Sequence, residues 1–200
     1  MQLQHLSYEA VKQICRAKGY NFFENGDFNV NLIGIRNMRD VQANTFNDLF
    51  CIAFKKNGEQ ILLQYPCTTD PGTYYRLNPA NVQGTAILPA GQYFGLWKVG
   101  LHQGKYQALV QRLPTVVIRD NNRDPNLDLN ARTGVREFIG LNCHRATASG
   151  TSKQVDKWSA GCQVLANSDD FAQLMKLVKY AANKYGNGFT YTLFESTDFE

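Results

Sequence analysis

The chain reads as mainly β with flanking helices. Short β-branched and aromatic runs alternate with Gly, Pro and Asn turn signals, and only two segments carry helical periodicity. Aromatic content of 12%, with ten Tyr and twelve Phe, suits the pleated, half-buried surfaces of strands.

The first helix is expected over residues 7–18, where Ser7 can cap the N-terminus, Val11, Ile14 and Cys15 share a face, and Gly19 stops the element. Residues 29–36 read as a strand through Val30, Leu32 and Ile33, and 37–44 as a polar loop. Residues 49–54 and 61–65 form an expected hairpin across Lys55-Lys56-Asn57-Gly58. Asp70-Pro71-Gly72 signals a turn within 66–79. A second hairpin joins 91–101 to 106–111 across Gln103-Gly104, and 115–119 is a β-branched strand. The second helix spans 167–183, with Asn167 or Ser168 as cap and Phe171, Leu174, Met175, Val178 and Ala182 on one face. Residues 189–194 alternate as a closing strand. There is no repeat, low-complexity tract or linker.

Two hundred residues suffice for a real core. The net charge of +4 comes without any Lys/Arg run, so no nucleic-acid footprint is expected. No apolar stretch is long enough to span a membrane. Five cysteines without a spacing pattern argue against a disulfide framework. Met1-Gln2-Leu3-Gln4-His5 lacks the basic start and apolar core of a signal peptide.

The chemistry concentrates in Ile139-Gly140-Leu141-Asn142-Cys143-His144-Arg145-Ala146, a Gly/Ser/Thr/Lys-rich segment, and Trp158-Ser159-Ala160-Gly161-Cys162. A thiol is a poor nucleophile near neutrality, and a neighbouring imidazole can take its proton to leave a thiolate. Gly161 permits a tight turn before the cysteine, and such a turn can aim successive N–H groups at one point to hold an oxyanion. His144 and Cys162 are therefore the expected base and nucleophile, with Ser159 and Gly161 shaping the turn. Cys143 should point away from His144, because neighbouring residues of a strand face opposite ways. Cys15, Cys51 and Cys67 read as buried apolar residues. Zinc at Cys143, His144 and Cys162 lacks the usual ligand spacing. His5 and His102 have no visible partner in the sequence.

A histidine 18 residues before the cysteine resembles the order of the L,D-transpeptidase (YkuD-type) catalytic domain, whose signature is a histidine, a loop, then Ser/Thr-His-Gly-Cys. Ala86-Ile87-Leu88-Pro89-Ala90-Gly91-Gln92-Tyr93 is similar to that family's Thr-Pro-x-Gly-x-Phe/Tyr segment, and residues 46–58 to its opening hairpin; the resemblance covers roughly residues 44–166. Two positions depart from it. Ala160 stands where the family usually has a second histidine, and Val164 where it usually has Arg or Asn. Arg145 is the expected replacement cation, and Trp158 a further substrate contact.

The resemblance implies a β-sandwich-like catalytic domain over 44–200, with 1–43 as a helix-and-strand extension packed on it. It also implies a cysteine-dependent acyl transfer on peptidoglycan stem peptides, with no cofactor for catalysis. A wall enzyme without an export signal needs another carrier. The expected setting is accordingly a phage virion, with other virion proteins as candidate partners, or release at lysis, and otherwise the cytoplasm. Hydrolysis is then expected over cross-linking. The alternative is a non-enzymatic virion or wall-binding module with a vestigial site, which Ala160 and Val164 favour.

A second constellation lies at Asp120-Asn121-Asn122-Arg123-Asp124-Pro125-Asn126-Leu127-Asp128. Oxygen side chains at Asp120, Asn122, Asp124 and Asp128 resemble the opening of a calcium loop. Pro125 replaces the usual glycine and Ala131 the closing glutamate. The competing reading is a polar turn held by Asx-type hydrogen bonds.

Overall fold

Eight strands close on themselves in the computed structural model, which describes residues 6–41, 44–131 and 133–200. His5 lies outside those residues. The strands are β1 (Asn31–Arg36), β2 (Asp48–Lys56), β3 (Glu59–Thr68), β5 (Gly91–His102), β6 (Tyr106–Gln111), β8 (Cys143–Arg145), β9 (Gln163–Leu165) and β10 (Phe189–Glu195). Their order around the barrel is β1-β10-β5-β6-β8-β9-β3-β2, and β4 (Thr85–Ile87) pairs separately with β7 (Ile118–Asp120). The mainly β architecture with helices matches the expectation from sequence. A closed barrel stands in place of the expected two-layer sandwich, because β1 pairs in parallel with β10 and antiparallel with β2 and leaves no free edge between them. A boundary at residue 43 would fall between these paired strands β1 and β2.

Both hairpins form where the turn residues place them. Asn57 and Gly58 take φ of 52° and 84°, and Gln103 and Gly104 take 51° and 71°, the positive values that match strand twist in tight hairpins. β2 shows why its sequence is almost wholly apolar. Phe50, Ile52 and Phe54 face the main core, while Leu49, Cys51 and Ala53 face a second cluster under the N-terminal helix. That helix, α1 (Tyr8–Ala17), is capped by Ser7, whose side chain accepts from Ala10 N. It covers the outer side of β1 and β2 with Tyr8, Val11 and Cys15. The main core centres on Trp97, fully buried, with Tyr191 beside it at 4.3 Å between ring centres. Gly34 in β1 is required there, because a Cβ would collide with the Tyr191 hydroxyl.

The helix α2 (Thr73–Leu77) was not visible in the sequence, where 66–79 read only as a turn region. The long helix α3 (Ser168–Tyr185) starts at Asn167, whose side chain accepts from Asp169 N and Asp170 N, and it lies against β5, β6, β8 and β9. Arg36 at the end of β1 is buried, with its guanidinium on Asp70 at 2.9 Å and on the Leu88 carbonyl at 2.8 Å. Asp48 accepts from Asn37 N, Thr69 N and Thr69 Oγ1 nearby. Burial and the neighbouring Asp70 push the Asp48 carboxyl up to about 6 against those hydrogen bonds. Among the described residues no helix is long and apolar enough to cross a membrane.

Candidate active site

The sequence-predicted pair sits on β8 and just before β9, which are neighbouring parallel strands. Cys143 pairs with Gln163 and His144 with Val164 across β8 and β9. Paired residues share a face, so His144 and Val164 lie on one side and Cys143 and Gln163 on the other, with Cys162 immediately before β9. Cys143 joins the main core, and Gln163 bonds the Tyr191 hydroxyl at 2.7 Å inside the barrel. His144 and Cys162 both line an open cleft of about 790 Å³, with Trp158, Arg119, Arg145 and Phe138 around them.

The loop from β8 to β9 presents the cysteine through a short polar turn. Ser159, fully buried, donates its hydroxyl to the Cys162 carbonyl at 2.8 Å and accepts from Gly161 N at 3.1 Å. The Ser159 carbonyl accepts from Gly72 N, which anchors the turn to α2. Gly161 has φ of 122°, and a Cβ there would strike the Ala86 carbonyl of β4. Both features demand glycine. Of the successive N–H groups this turn was expected to aim at one point, that of Gly161 is taken by Ser159 Oγ. The Cys162 N–H has no partner among the described residues.

Backbone groups of the segment before β8 hold the thiol. Cys162 Sγ accepts from Asn142 N at 3.5 Å and donates to the Gly140 carbonyl at 3.4 Å, and no hydrogen bond joins it to His144. Burial pushes the thiol up to about 11, partly opposed by the Asn142 N–H. The His144 Nδ1–H donates to the Arg145 carbonyl at 2.9 Å, which leaves Nε2 as the acceptor nitrogen. Burial pushes this imidazole down to about 4. Burial thus disfavours the charged form of both the thiol and the imidazole. Cys162 is partly exposed, whereas Cys15, Cys51, Cys67 and Cys143 are buried.

His102, which showed no partner in the sequence, is part of the site. Its ring stacks on His144 with centres 4.3 Å apart. Its Nδ1 faces Asn142 Nδ2 at 3.1 Å, and Gln111 N–H donates to Asn142 Oδ1 at 2.8 Å. With Oδ1 occupied, the Asn142 amide must donate to His102 Nδ1, so the proton of His102 sits on Nε2. Gln111 also grips the irregular approach to β8. Its Oε1 accepts from Ile139 N and Leu141 N, and its Nε2 donates to the Leu113 and Glu137 carbonyls. No local signal in the sequence marks Gln111 or Asn142; the pairing of Leu109 with Cys143 creates their roles.

Arg145 lines the cleft with its guanidinium 4.5 Å from the centre of the Tyr106 ring. Trp158 is 44% exposed on the rim. Val164 is fully buried opposite His144, so that position offers the cleft no cation. Arg119, paired with Glu137 and opposite Ala86 in the β4–β7 sheet, lines the same cleft. At the proposed calcium loop, Asn122 Oδ1 accepts from Asp124 N, Asp124 Oδ1 from Asn126 N, Asp128 Oδ1 from Asn130 N, and Asp120 Oδ2 from Asp128 N. The first three, each reaching two residues on, are the Asx-type bonds of the competing reading, and the fourth closes the loop across eight residues. Asp120 Oδ1 is buried without a partner. No group of three or more His, Cys, Asp or Glu among the described residues is placed to hold a metal. Compared with protein-family models, curated proteins and solved structures, the chain matches none of them.

Proposed function

We propose that this chain is a cysteine-dependent acyl-transfer enzyme acting on peptidoglycan stem peptides, with water as the usual acceptor. The observation that carries the reading is the placement of His144 on β8 and of Cys162 just before β9, both lining one open cleft, with the base nitrogen of His144 left without a hydrogen-bond partner among the described residues. In this reading Sγ leaves the Gly140 carbonyl and turns towards His144 Nε2, which takes its proton as sulfur attacks the acyl carbon. The carbonyl electrons move to oxygen, and the Cys162 N–H donates a hydrogen bond to the resulting oxyanion. Collapse breaks the bond to the leaving amine, which takes the proton back from His144. Water, deprotonated by the same nitrogen, then attacks the thioester carbon, and the C–Sγ bond breaks as sulfur takes the proton back from His144, leaving the acid product. Arg145 and Trp158 contact the peptide at the rim. The L,D-transpeptidase-like ancestry, a virion or lysis setting and contacts with other virion proteins belong to the same proposal.

The test is incubation with tetra- and pentapeptide muropeptides, with and without added D-amino acid, read by mass. Shortened stems or opened cross-links support the hydrolase. D-amino-acid exchange or new dimers replace water by an amine but keep the thiol mechanism. The second reading, a binding module with a vestigial site, draws on the Cys162 thiol being bonded to Gly140 and not to His144. Unchanged muropeptides from a protein with reduced Cys162 would favour it.

A further inference from the structure

The attack on a carbonyl needs preorganised donors where negative charge develops. The turn before Cys162 supplies one N–H fewer than its sequence suggests, because Ser159 Oγ occupies Gly161 N–H. The cleft holds another donor. His102 Nδ1 accepts from the Asn142 amide, whose orientation is fixed by Gln111 N–H, and the remaining proton is therefore on Nε2. His102 lines the cleft, and its Nε2 makes no hydrogen bond among the described residues. The same holds for His144 Nε2. The two rings stack, so neither can bond the other edge to edge. One presents a lone pair and the other an N–H to the same cleft. Asn142 ties this pair to the nucleophile, since its side chain holds His102 and its backbone N–H meets Cys162 Sγ.

Building on the acyl-transfer reading, we infer that His102 is a further catalytic residue, whose neutral Nε2–H donates to the carbonyl oxygen of the acyl donor beside the Cys162 N–H. As the Sγ–C bond forms, the S–H proton passes to His144 Nε2 and the carbonyl pair to oxygen, where His102 stabilises it without giving up its proton. When the oxyanion collapses, the bond to the leaving group breaks and the hydrogen bond weakens again. A neutral imidazole suits this role, because its donor carries no charge that would oppose protonation of the stacked His144. The site thus draws its second imidazole from the β5–β6 hairpin, while position 160 of the cysteine loop is Ala160.

The test separates carbonyl attack from simple thiol reactivity. 4-Nitrophenyl acetate acylates through an oxyanion, whereas iodoacetamide alkylates by displacement at carbon and builds none. Both are followed at Cys162 by intact mass and peptide mapping, in the full chain and in His102→Phe, which keeps an aromatic ring in the stack and removes the donor. The expected result is acylation slowed about 100-fold, the scale of a lost oxyanion donor, with alkylation unchanged within about twofold. His102→Gln, which restores an N–H, should recover part of the acylation. Unchanged acylation, or equal loss in both reactions, overturns the assignment. If His102→Phe does not fold, nitrogen-15 shifts of the native protein decide. A proton on His102 Nε2 supports the role, and one on Nδ1 overturns it. A native Cys162 that alkylates but never acylates overturns both the acyl-transfer reading and the role of His102. A selective loss of acylation in a protein that leaves muropeptides intact supports His102 and overturns only the peptidoglycan reading.

Discussion

Alkylation of Cys162 across pH tests whether the site stores a thiolate. With the thiol pushed up to about 11, the thiolate fraction at pH 7 is about 300-fold below that of a cysteine at its usual value near 8.5. A more basic thiolate is also a better nucleophile, and a Brønsted slope of 0.4–0.5 over about 2.5 units returns roughly 10- to 18-fold. The net expectation is alkylation at pH 7 about 20- to 30-fold slower than an unstructured cysteine. The rate should still be climbing at pH 10. Limiting iodoacetamide with peptide mapping at each pH gives the profile. Cys162 should nonetheless label ahead of the other four cysteines, because those are buried. A rate that levels off below pH 7 would refute the argument, since it would mean a preformed thiolate–imidazolium pair that the bonds to Gly140 and Asn142 do not describe.

His144→Ala should abolish turnover by about 100-fold or more, the usual scale of a lost general base, in a protein whose circular dichroism is unchanged. Because the imidazole is pushed down to about 4, kcat/KM of the native protein should rise through pH 4 and stay flat across neutrality. The same shift bears on stability: the folded state favours the neutral ring, so the contribution of His144 is present above its unfolded value near 6.5 and is lost as pH falls through about 4. Thermal melts of native protein and His144→Ala over that window should converge as pH falls. Arg36→Ala should cost about 3–5 kcal/mol in denaturant unfolding, because it strands the buried Asp70 carboxylate. Added millimolar Ca²⁺ should leave the melting temperature flat, since Asx bonds already engage Asn122, Asp124 and Asp128. A rise with Ca²⁺ that Asp124→Ala removes would establish the calcium loop instead.

The parts legible in the sequence were those set by local chemistry. Positive-φ residues marked both hairpin tips, Ser7 and Asn167 marked helix starts, and the small residues of 159–161 marked the turn that presents Cys162. Alternation also placed Cys143 in the core and His144 in the cleft. What stayed hidden depends on pairing between distant segments. Barrel closure needs β1 beside β10, and nothing in either strand states that register. The desolvation of the thiol and the imidazole was hidden for a related reason. The spacing of His144 and Cys162 is written in the chain, but the burial that disfavours charge on both comes from segments packed around them.

That wall also explains why a hairpin tip and a cysteine loop form one site. β6 joins β5 to β8, so the end of β5 delivers His102 beside His144 while Gln111 at the end of β6 holds residues 139–141 in place. Leu141 is fixed from the other side, where its carbonyl accepts from Trp97 Nε1 at 2.8 Å in the barrel core. The Gly140 carbonyl and Asn142 N–H that bind Cys162 Sγ therefore flank a residue anchored to the largest buried side chain of the fold. A barrel packed around Trp97 thus sets the position of the sulfur through a single backbone link. The site has little slack because its polar partners are backbone groups of a clamped segment, so whatever frees the thiol for attack must come from rotation of Cys162 itself and not from movement of that segment.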